Sequence, residues 1–380
     1  MQQIILGGIL AFFVTLLVIP VIILVAKKKK LYDVPDDKRK LHKQPIPSLG
    51  GLGMFIGFIL SILLTINFAK DAPEFQFYIA AFLLIFFLGI KDDIMIISPG
   101  KKFAGQLIAA GILIYKSHLL ITNMYGFLGI TTIPLEASYF LTVFAIVVII
   151  NAFNLIDGVD GLAGGIGLIS SLVFGIFFFV NGDIPYAVLA FSFAGSLIAF
   201  LYYNLHPAKI FMGDTGSLMI GLINTILVIK FIQSGAGYKL YPVMSAPAVG
   251  FGILFLPLMD TLRVFGLRII NGKSPFSPDR THIHHLLLNR GFSHKQVTFT
   301  CVGISMAVSV IAFYFQSMGT GFLIALLNGL FFAMIYLLHF KKYTYQLRVI
   351  KGEMPTIVPE SGDVRLVPLY ENAPSMVEEE

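Results

Sequence analysis

The chain reads as an all-α, polytopic integral membrane protein with about eleven transmembrane helices, its N-terminus outside and its polar loops gathered on the cytoplasmic side. Three observations predict this. The 380 residues are 57% hydrophobic and only 13% charged, with a mean hydropathy of +0.85, far too apolar for a soluble globular domain. Apolar runs of about 17–25 residues recur along the sequence, each long enough to cross hydrocarbon as a helix. Of the 27 Lys and Arg, all but Lys70, Lys116, Lys230 and Lys239 fall on alternate segments between those runs or at their ends, the charge bias that fixes orientation.

The first run, residues 3–26, reads as a retained span and not a cleaved leader. It lacks a basic start, and its charges, Lys27–Lys30, follow it; the N-terminus is therefore outside. Further runs lie near 49–68, 76–91, 103–121, 138–153, 163–180, 186–203, 216–233, 246–266, 297–316 and 320–340. The inward segments are then 27–48, 92–102, 154–162, 204–215, 267–296 and the tail from 341, while the outer loops look short and chemically bland. Residues 1–342 form the transmembrane domain. Residues 343–380 form a cytoplasmic tail that mixes Pro, Gly and Val with a terminal Glu run. The lone Cys301 lies inside an apolar run, which excludes a disulfide framework and a Cys metal site. Trp is absent, so Tyr must supply any interfacial belt. The net charge of +6 belongs with the inner loops and gives no reason to expect a nucleic-acid partner.

Polar clusters sit where these runs end on the inner side, and carboxylates at a membrane edge are costly enough to mark function. Asp92-Asp93 follows the third run almost directly. Of two adjacent carboxylates, one can hold a divalent cation while like charge raises the pKa of the other for proton handling. Asn151, Asn154, Asp157 and Asp160 are spaced by three and line one stripe if the segment stays helical. Asn204 precedes Phe211-Met-Gly213-Asp214-Thr-Gly216-Ser217, where Asp214 opens a helix whose free N–H groups favour phosphate. Ser274-Pro-Phe-Ser-Pro-Asp279-Arg280-Thr-His282-Ile-His284-His285 combines Arg with three His and no Cys, which suits diphosphate oxygens better than zinc. The first inner loop, Asp36 to Gly51, is basic and turn-rich, as orientation requires and as a lipid headgroup contact would. Lys101 and Lys102 read as snorkelling side chains, and Lys101 lies close enough to Asp92-Asp93 to meet a phosphate. Asp260 and Arg263 are placed for a structural ion pair.

Taken in order, these four motifs resemble the polyprenyl-phosphate N-acetylhexosamine-1-phosphate transferases, over residues 30–300. The resemblance implies a multi-spanning enzyme of the bacterial inner membrane with a cytoplasmic active site in the transmembrane catalytic domain. It implies Mg²⁺, with Mn²⁺ as a substitute, and transfer of a sugar-1-phosphate from a UDP-sugar to a polyprenyl phosphate with release of UMP. The His282-Ile-His284-His285 form is similar to the branch that uses UDP-N-acetylglucosamine and undecaprenyl phosphate at the start of envelope polysaccharide assembly, lipopolysaccharide O-antigen included. The branch acting on UDP-MurNAc-pentapeptide carries a His-His-His-Phe-Glu stretch, whereas Leu286 and Leu287 follow here. By this resemblance Asp214 is the first expected metal ligand and Asp93 the second. Asp92, Asp93, Asp157 and Asp160 are the expected catalytic carboxylates. Lys101, Asn151, Asn154, Asn204, Arg280, His282, His284 and His285 are the expected substrate contacts, and family analogy suggests a homodimer.

The rival readings are weaker. An ion-coupled transporter calls for acidic groups at the midplane on broken helices and for paired repeats, and neither is evident. A CDP-alcohol phosphotransferase calls for an Ala-Arg after Asp-Gly, which Asp157-Gly158 lacks. A lipid-binding scaffold would not need Asn, Asp and His gathered on one face.

Overall fold

Each of the eleven expected runs is helical in the computed structural model, which describes residues 1–31, 46–272 and 281–340. The order is α1 (Gln2–Lys29), α2 (Gly50–Thr65), the short α3 (Phe68–Asp71), α4 (Phe75–Ile94) and α5 (Pro99–Ser117). A hairpin of β1 (Asn123–Phe127) and β2 (Ile130–Thr132) follows. Then come α6 (Leu135–Ile156), α7 (Leu162–Val180), α8 (Ile184–Asn204), α9 (Gly213–Ser234), α10 (Ala246–Ile253), α11 (Phe255–Ile270), α12 (Ile283–Leu288), α13 (His294–Tyr314) and α14 (Thr320–Phe340). By length and composition alone, α1, α6, α7, α8, α9, α13 and α14 can cross a membrane, and α10 with α11 makes an eighth if the pair is one span.

Two features depart from the sequence reading. The run 246–266 is not one straight helix: α10 and α11 meet at 85°. Pro257 explains the break, because its ring clashes with the carbonyl four residues earlier, at Ile253, where α10 stops. The loop after α5 carries the only strands among the described residues, a pair too short to register as a pattern.

Helix α9 is the axis of the bundle. It packs against α2, α4, α6, α7 and α10, and nearly all of it is buried. The Asn224 amide N–H and the Thr225 hydroxyl donate back to the carbonyls of Ile220 and Gly221, which satisfies these donors inside an apolar surround. Helices α1, α2 and α8 approach closely through small side chains. The Ser61 hydroxyl donates to Gly7 O (2.7 Å) and accepts from the Ser192 hydroxyl (2.9 Å), and Ser196 donates to Met54 O (2.9 Å). Small residues and interhelical hydrogen bonds replace the hydrophobic drive that lipid does not supply. Outward, Phe13, Leu17, Leu64, Phe87 and Phe140 stay exposed, an apolar surface for acyl chains.

Both ends of the bundle are polar. At one end lie the C-terminus of α4, the N-terminus of α5, the C-termini of α6 and α8 and the N-terminus of α9. The other end is less bland than expected. Tyr186 bonds Tyr78 (2.7 Å) and donates to Glu74 (3.1 Å), Tyr238 donates to Asp183 (2.7 Å), and Lys230 sits 4.5 Å above the Tyr186 ring.

Candidate active site

Asp93, in the last turn of α4, accepts hydrogen bonds from the N–H of Asp214 (2.6 Å), the N–H of Thr215 (3.1 Å) and the Thr215 hydroxyl (2.5 Å). It caps α9 from a neighbouring helix, since α9 has no side-chain cap of its own. Free N–H groups and the positive end of the helix dipole both favour a carboxylate there. Asp93, expected as a catalytic group and second metal ligand, is thus committed to holding the start of α9. Gly213 makes this possible. Its φ is +71°, and a Cβ would lie 2.3 Å from Ser48 O and 2.6 Å from both Asp93 carboxylate oxygens.

Asp214, released from capping, turns its carboxylate to Lys102 (2.5 Å) and Asn154 (3.1 Å). Asn154 also donates to Ser217 (2.9 Å). Lys102 reaches Asp92 as well, and the other Asp92 oxygen accepts the Ile97 N–H (2.7 Å). One ammonium therefore bridges Asp92 and Asp214. Lys102 faces the carboxylate cluster and Lys101, the expected substrate contact, is exposed, because only one of two successive residues on α5 can face the cluster. Gln106, one turn on from Lys102, exchanges hydrogen bonds with Asn151 at 2.8 and 3.4 Å.

The stripe of four does not hold. Helix α6 ends at Ile156, and residues 157–161 turn, so Asp157 and Asp160 part company. Among the described residues Asp157 has no hydrogen-bond partner. Burial, then the charges of Asp214, Asp93 and Asp160, push its pKa up to about 8. Asp160 bonds His206 (2.7 Å) and lies 3.7 Å from His294. Burial works to raise its pKa, but the two imidazoles outweigh it and hold the carboxyl below its ordinary range. Asn204, expected at the substrate, is spent on backbone: it accepts from Gly161 N–H (2.7 Å) and donates to Ile210 O (2.9 Å), bracing the turn.

Arg280 and the Ser274–Asp279 stretch lie outside the described residues. The histidines beyond them are anchored by Asp260, whose carboxylate binds His282 (2.8 Å), Ile283 N–H (3.0 Å) and Arg263 (2.9 Å). Arg263 also donates to Thr281 O. The expected Asp260–Arg263 pair exists and carries the histidine segment with it. His284 packs on the turn after α6; a Cβ on Gly158 would come within 2.4 Å of its Nε2. Burial, then His285, pushes the His284 pKa down to about 3, so the ring is neutral at neutral pH.

Between these groups lies a cavity of about 680 Å³. Lys102, Gln106, Asn151 and Asn154 line one side, and Arg268, His282, His284 and His285 another, with Phe103 and Phe265 among the apolar walls. It thus joins the carboxylate cluster, through Lys102 and Asn154, to a pole rich in Arg and His. The volume lies in the range that holds a substrate-sized molecule. Sequence reasoning missed Lys102, Gln106, Arg268, His206 and His294. Only Gln106 had a local signal, its i+4 spacing from Lys102.

The carboxylates fit a divalent cation. Asp92 and Asp214 share a single ammonium, and Asp157, which has no hydrogen-bond partner among the described residues, lies near enough to feel the charges of Asp214 and Asp93. Oxygen donors of this kind suit Mg²⁺.

The sequence model of glycosyl transferase family 4 matches residues 75–232. Over 308 residues the chain is 33% identical to the decaprenyl-phosphate N-acetylglucosaminephosphotransferase of Mycobacterium leprae, covering 75% of this chain and 77% of the relative. The chain belongs to glycosyl transferase family 4. A Mycolicibacterium smegmatis family member with the same name is 35% identical over 297 residues, covering 73% and 72%. An undecaprenyl-phosphate alpha-N-acetylglucosaminyl 1-phosphate transferase of Yersinia pestis is 32% identical over 287 residues, covering 74% and 75%. The segment matched by the family model contains Asp92, Asp93, Lys102, Asn154, Asp157 and Asp214; the histidine pole of the cavity lies beyond it.

Proposed function

We propose that this chain transfers N-acetylglucosamine-1-phosphate from UDP-N-acetylglucosamine to undecaprenyl phosphate at the cytoplasmic face of a bacterial inner membrane, releasing UMP. The observation that carries the reading is Lys102 bridging Asp92 and Asp214 at the edge of a cavity whose far side is Arg268 and three histidines. Relatives whose names specify polyprenyl phosphate and N-acetylglucosamine phosphate support it. They do not favour the UDP-MurNAc-pentapeptide alternative. The basic inner segments, beginning at Lys27–Lys30, support the orientation.

The two substrates are anions that repel each other, one dissolved in water and one held in lipid. Arg268 and the histidine pole suit the UDP-sugar diphosphate. The prenyl phosphate head would approach at Lys102, with its chain along the apolar helix faces. An oxygen of that phosphate attacks the sugar-side phosphorus, and the bond from that phosphorus to the bridging oxygen breaks, which frees UMP. Asp92 accepts the proton of a monoprotonated prenyl phosphate or holds the head in line. Asp93 acts through Asp214, as a positioning residue. A Mg²⁺ or Mn²⁺ ion held by Asp214 and Asp157 would neutralise charge on the departing UMP.

A transport reading needs ionisable groups at midplane on broken helices. The broken pair α10–α11 does carry Asp260, but its carboxylate is occupied by His282, Ile283 and Arg263.

The test is UMP release by purified protein given undecaprenyl phosphate, Mg²⁺ and one of three donors: UDP-N-acetylglucosamine, UDP-N-acetylgalactosamine or UDP-MurNAc-pentapeptide. The proposal expects UMP from the first, abolished by EDTA and by Asp92→Asn or Asp214→Asn. Release only from another donor would overturn the substrate, and no release from any donor by folded protein would overturn the reaction.

A further inference from the structure

The connection between α4 and α5 is apolar, and most of it points away from the protein. Ile94, Met95 and Ile96 are 56%, 64% and 100% exposed. Loops that face water are polar at their turns, and consecutive exposed apolar side chains mark a surface with something to cover it. The transfer reaction has no use for these side chains. Only Ile97 turns inward, onto the cavity wall, and its N–H donates to Asp92 (2.7 Å).

We propose that Ile94, Met95 and Ile96 insert into the headgroup boundary of the leaflet on the active-site side, held there by anionic lipid phosphates at Lys91 and Lys101.

Continuity names the occupant first. The outward stripe of α4 runs Leu83, Phe87, Lys91, Ile94, all exposed and spaced as one helix face. On α5, Phe103, Leu107 and Ile108 are exposed. The loop therefore joins two faces left for acyl chains and is the rim of the same surface. Charge agrees. Exposed Lys91 and Lys101 flank the apolar residues, one on each side, the arrangement of a segment that lies in the interface with its cations at the phosphates. The backbone leaves the side chains no retreat. Met95 N–H bonds Lys91 O (2.7 Å), Lys101 N–H bonds Ser98 O (3.0 Å), and Pro99 opens α5 with its φ fixed. A connection this short, tied at both ends, cannot fold its tip back over the bundle.

The anchor sets the height of Asp92. Its carboxylate is bonded to the loop backbone at Ile97, so a loop seated among headgroups holds Asp92 at the plane of a lipid phosphate. This consequence rests on the transfer reaction proposed above; the seating of the loop does not.

The chain contains no Trp, so Ile96→Trp places a single emitter at the tip. The full-length variant is reconstituted in vesicles containing phosphatidylglycerol. The proposal expects blue-shifted emission that is shielded from aqueous acrylamide and quenched by lipids brominated high on their chains. Shielding should weaken in vesicles of phosphatidylcholine alone. Red emission quenched by acrylamide would overturn the proposal, and so would blue emission that brominated lipid leaves untouched, the mark of a protein contact. A second arm uses Ile96→Asp. Its KM for undecaprenyl phosphate in vesicles should rise about tenfold, the worth of one buried apolar side chain, with kcat and the KM for UDP-N-acetylglucosamine unchanged. In detergent, with a water-soluble short-chain prenyl phosphate, the variant should equal wild type. Equal impairment there would assign the loss to the fold and overturn the anchor. If wild type releases no UMP, the transfer reading falls, and the emission alone decides the seating of the loop.

Discussion

Replacing Lys102 with Met removes the one cation that bridges Asp92 and Asp214. The ammonium is a quarter exposed, and the two carboxylates are 10% and 27% exposed. Two opposite effects follow. A divalent ion held by Asp214 would be repelled by the ammonium, by about 7 kcal/mol at a dielectric of 20 and about 1.7 kcal/mol at 80 for a separation taken as about 5 Å. The partly exposed site lies between, and even the lower figure amounts to about tenfold in affinity. Lys102→Met should therefore lower the half-saturating Mg²⁺ concentration about tenfold or more at low ionic strength. Turnover should fall about 10²–10³-fold, the usual cost of losing one fixed group aimed at a reacting anion. The assay is initial UMP release against Mg²⁺ at saturating donor, with Lys101→Met as the exposed neighbour, expected within about twofold of wild type. Turnover within about threefold of wild type, or a half-saturating Mg²⁺ that is unchanged or higher, would refute the reasoning.

Three further outcomes follow from the geometry. Gly213→Ala combines the cost of a left-handed non-glycine residue, about 1–2 kcal/mol, with a Cβ driven into Ser48 and Asp93; turnover should fall at least about 10²-fold by displacement of Asp214, whereas Gly111→Ala, with open space around it, should match wild type. Asp260→Asn strips His282 of its charged partner and should raise the KM for the UDP-sugar more than it lowers kcat; an unchanged KM contradicts the anchoring role. Asp157 has a folded pKa of about 8 against an ordinary 3.8, so the folded state holds the proton more tightly. The stability this group contributes is full below about pH 4 and is lost as pH rises to about 8. Without divalent ions, wild type should lose more melting temperature between pH 6 and 8.5 than Asp157→Asn, and equal losses would count against the buried charge.

The fold class was legible because lipid imposes a single strong pattern, the long apolar run, and each run became a helix. The bend at Leu254 was masked, since hydropathy is blind to direction; Pro257 was the available signal. Asp92, Asn154, Asp157 and Asp214 stood out as polar groups at helix ends, where their cost demanded a reason. Which neighbour does the work was not legible. Lys101 and Lys102 differ only in helix phase, and phase became visible once α5 was packed. Asp93 looked like a second reactive carboxylate until the uncapped N-terminus of α9 claimed it. The even spacing from Asn151 to Asp160 held only as far as Asn154, because the turn at Gly158 and Gly161 ends the helix. His294 lies 134 positions from Asp160 and carries no local mark of the meeting.

The central claim is that a phosphosugar moves and not a sugar alone. Donor UDP-N-acetylglucosamine labelled with ³²P at the sugar-side phosphorus separates the two, with undecaprenyl phosphate as acceptor. The account predicts that the label enters the organic phase in step with unlabelled UMP, and that Asp214→Asn stops both. Label remaining in water as UDP while the sugar enters the lipid would contradict it.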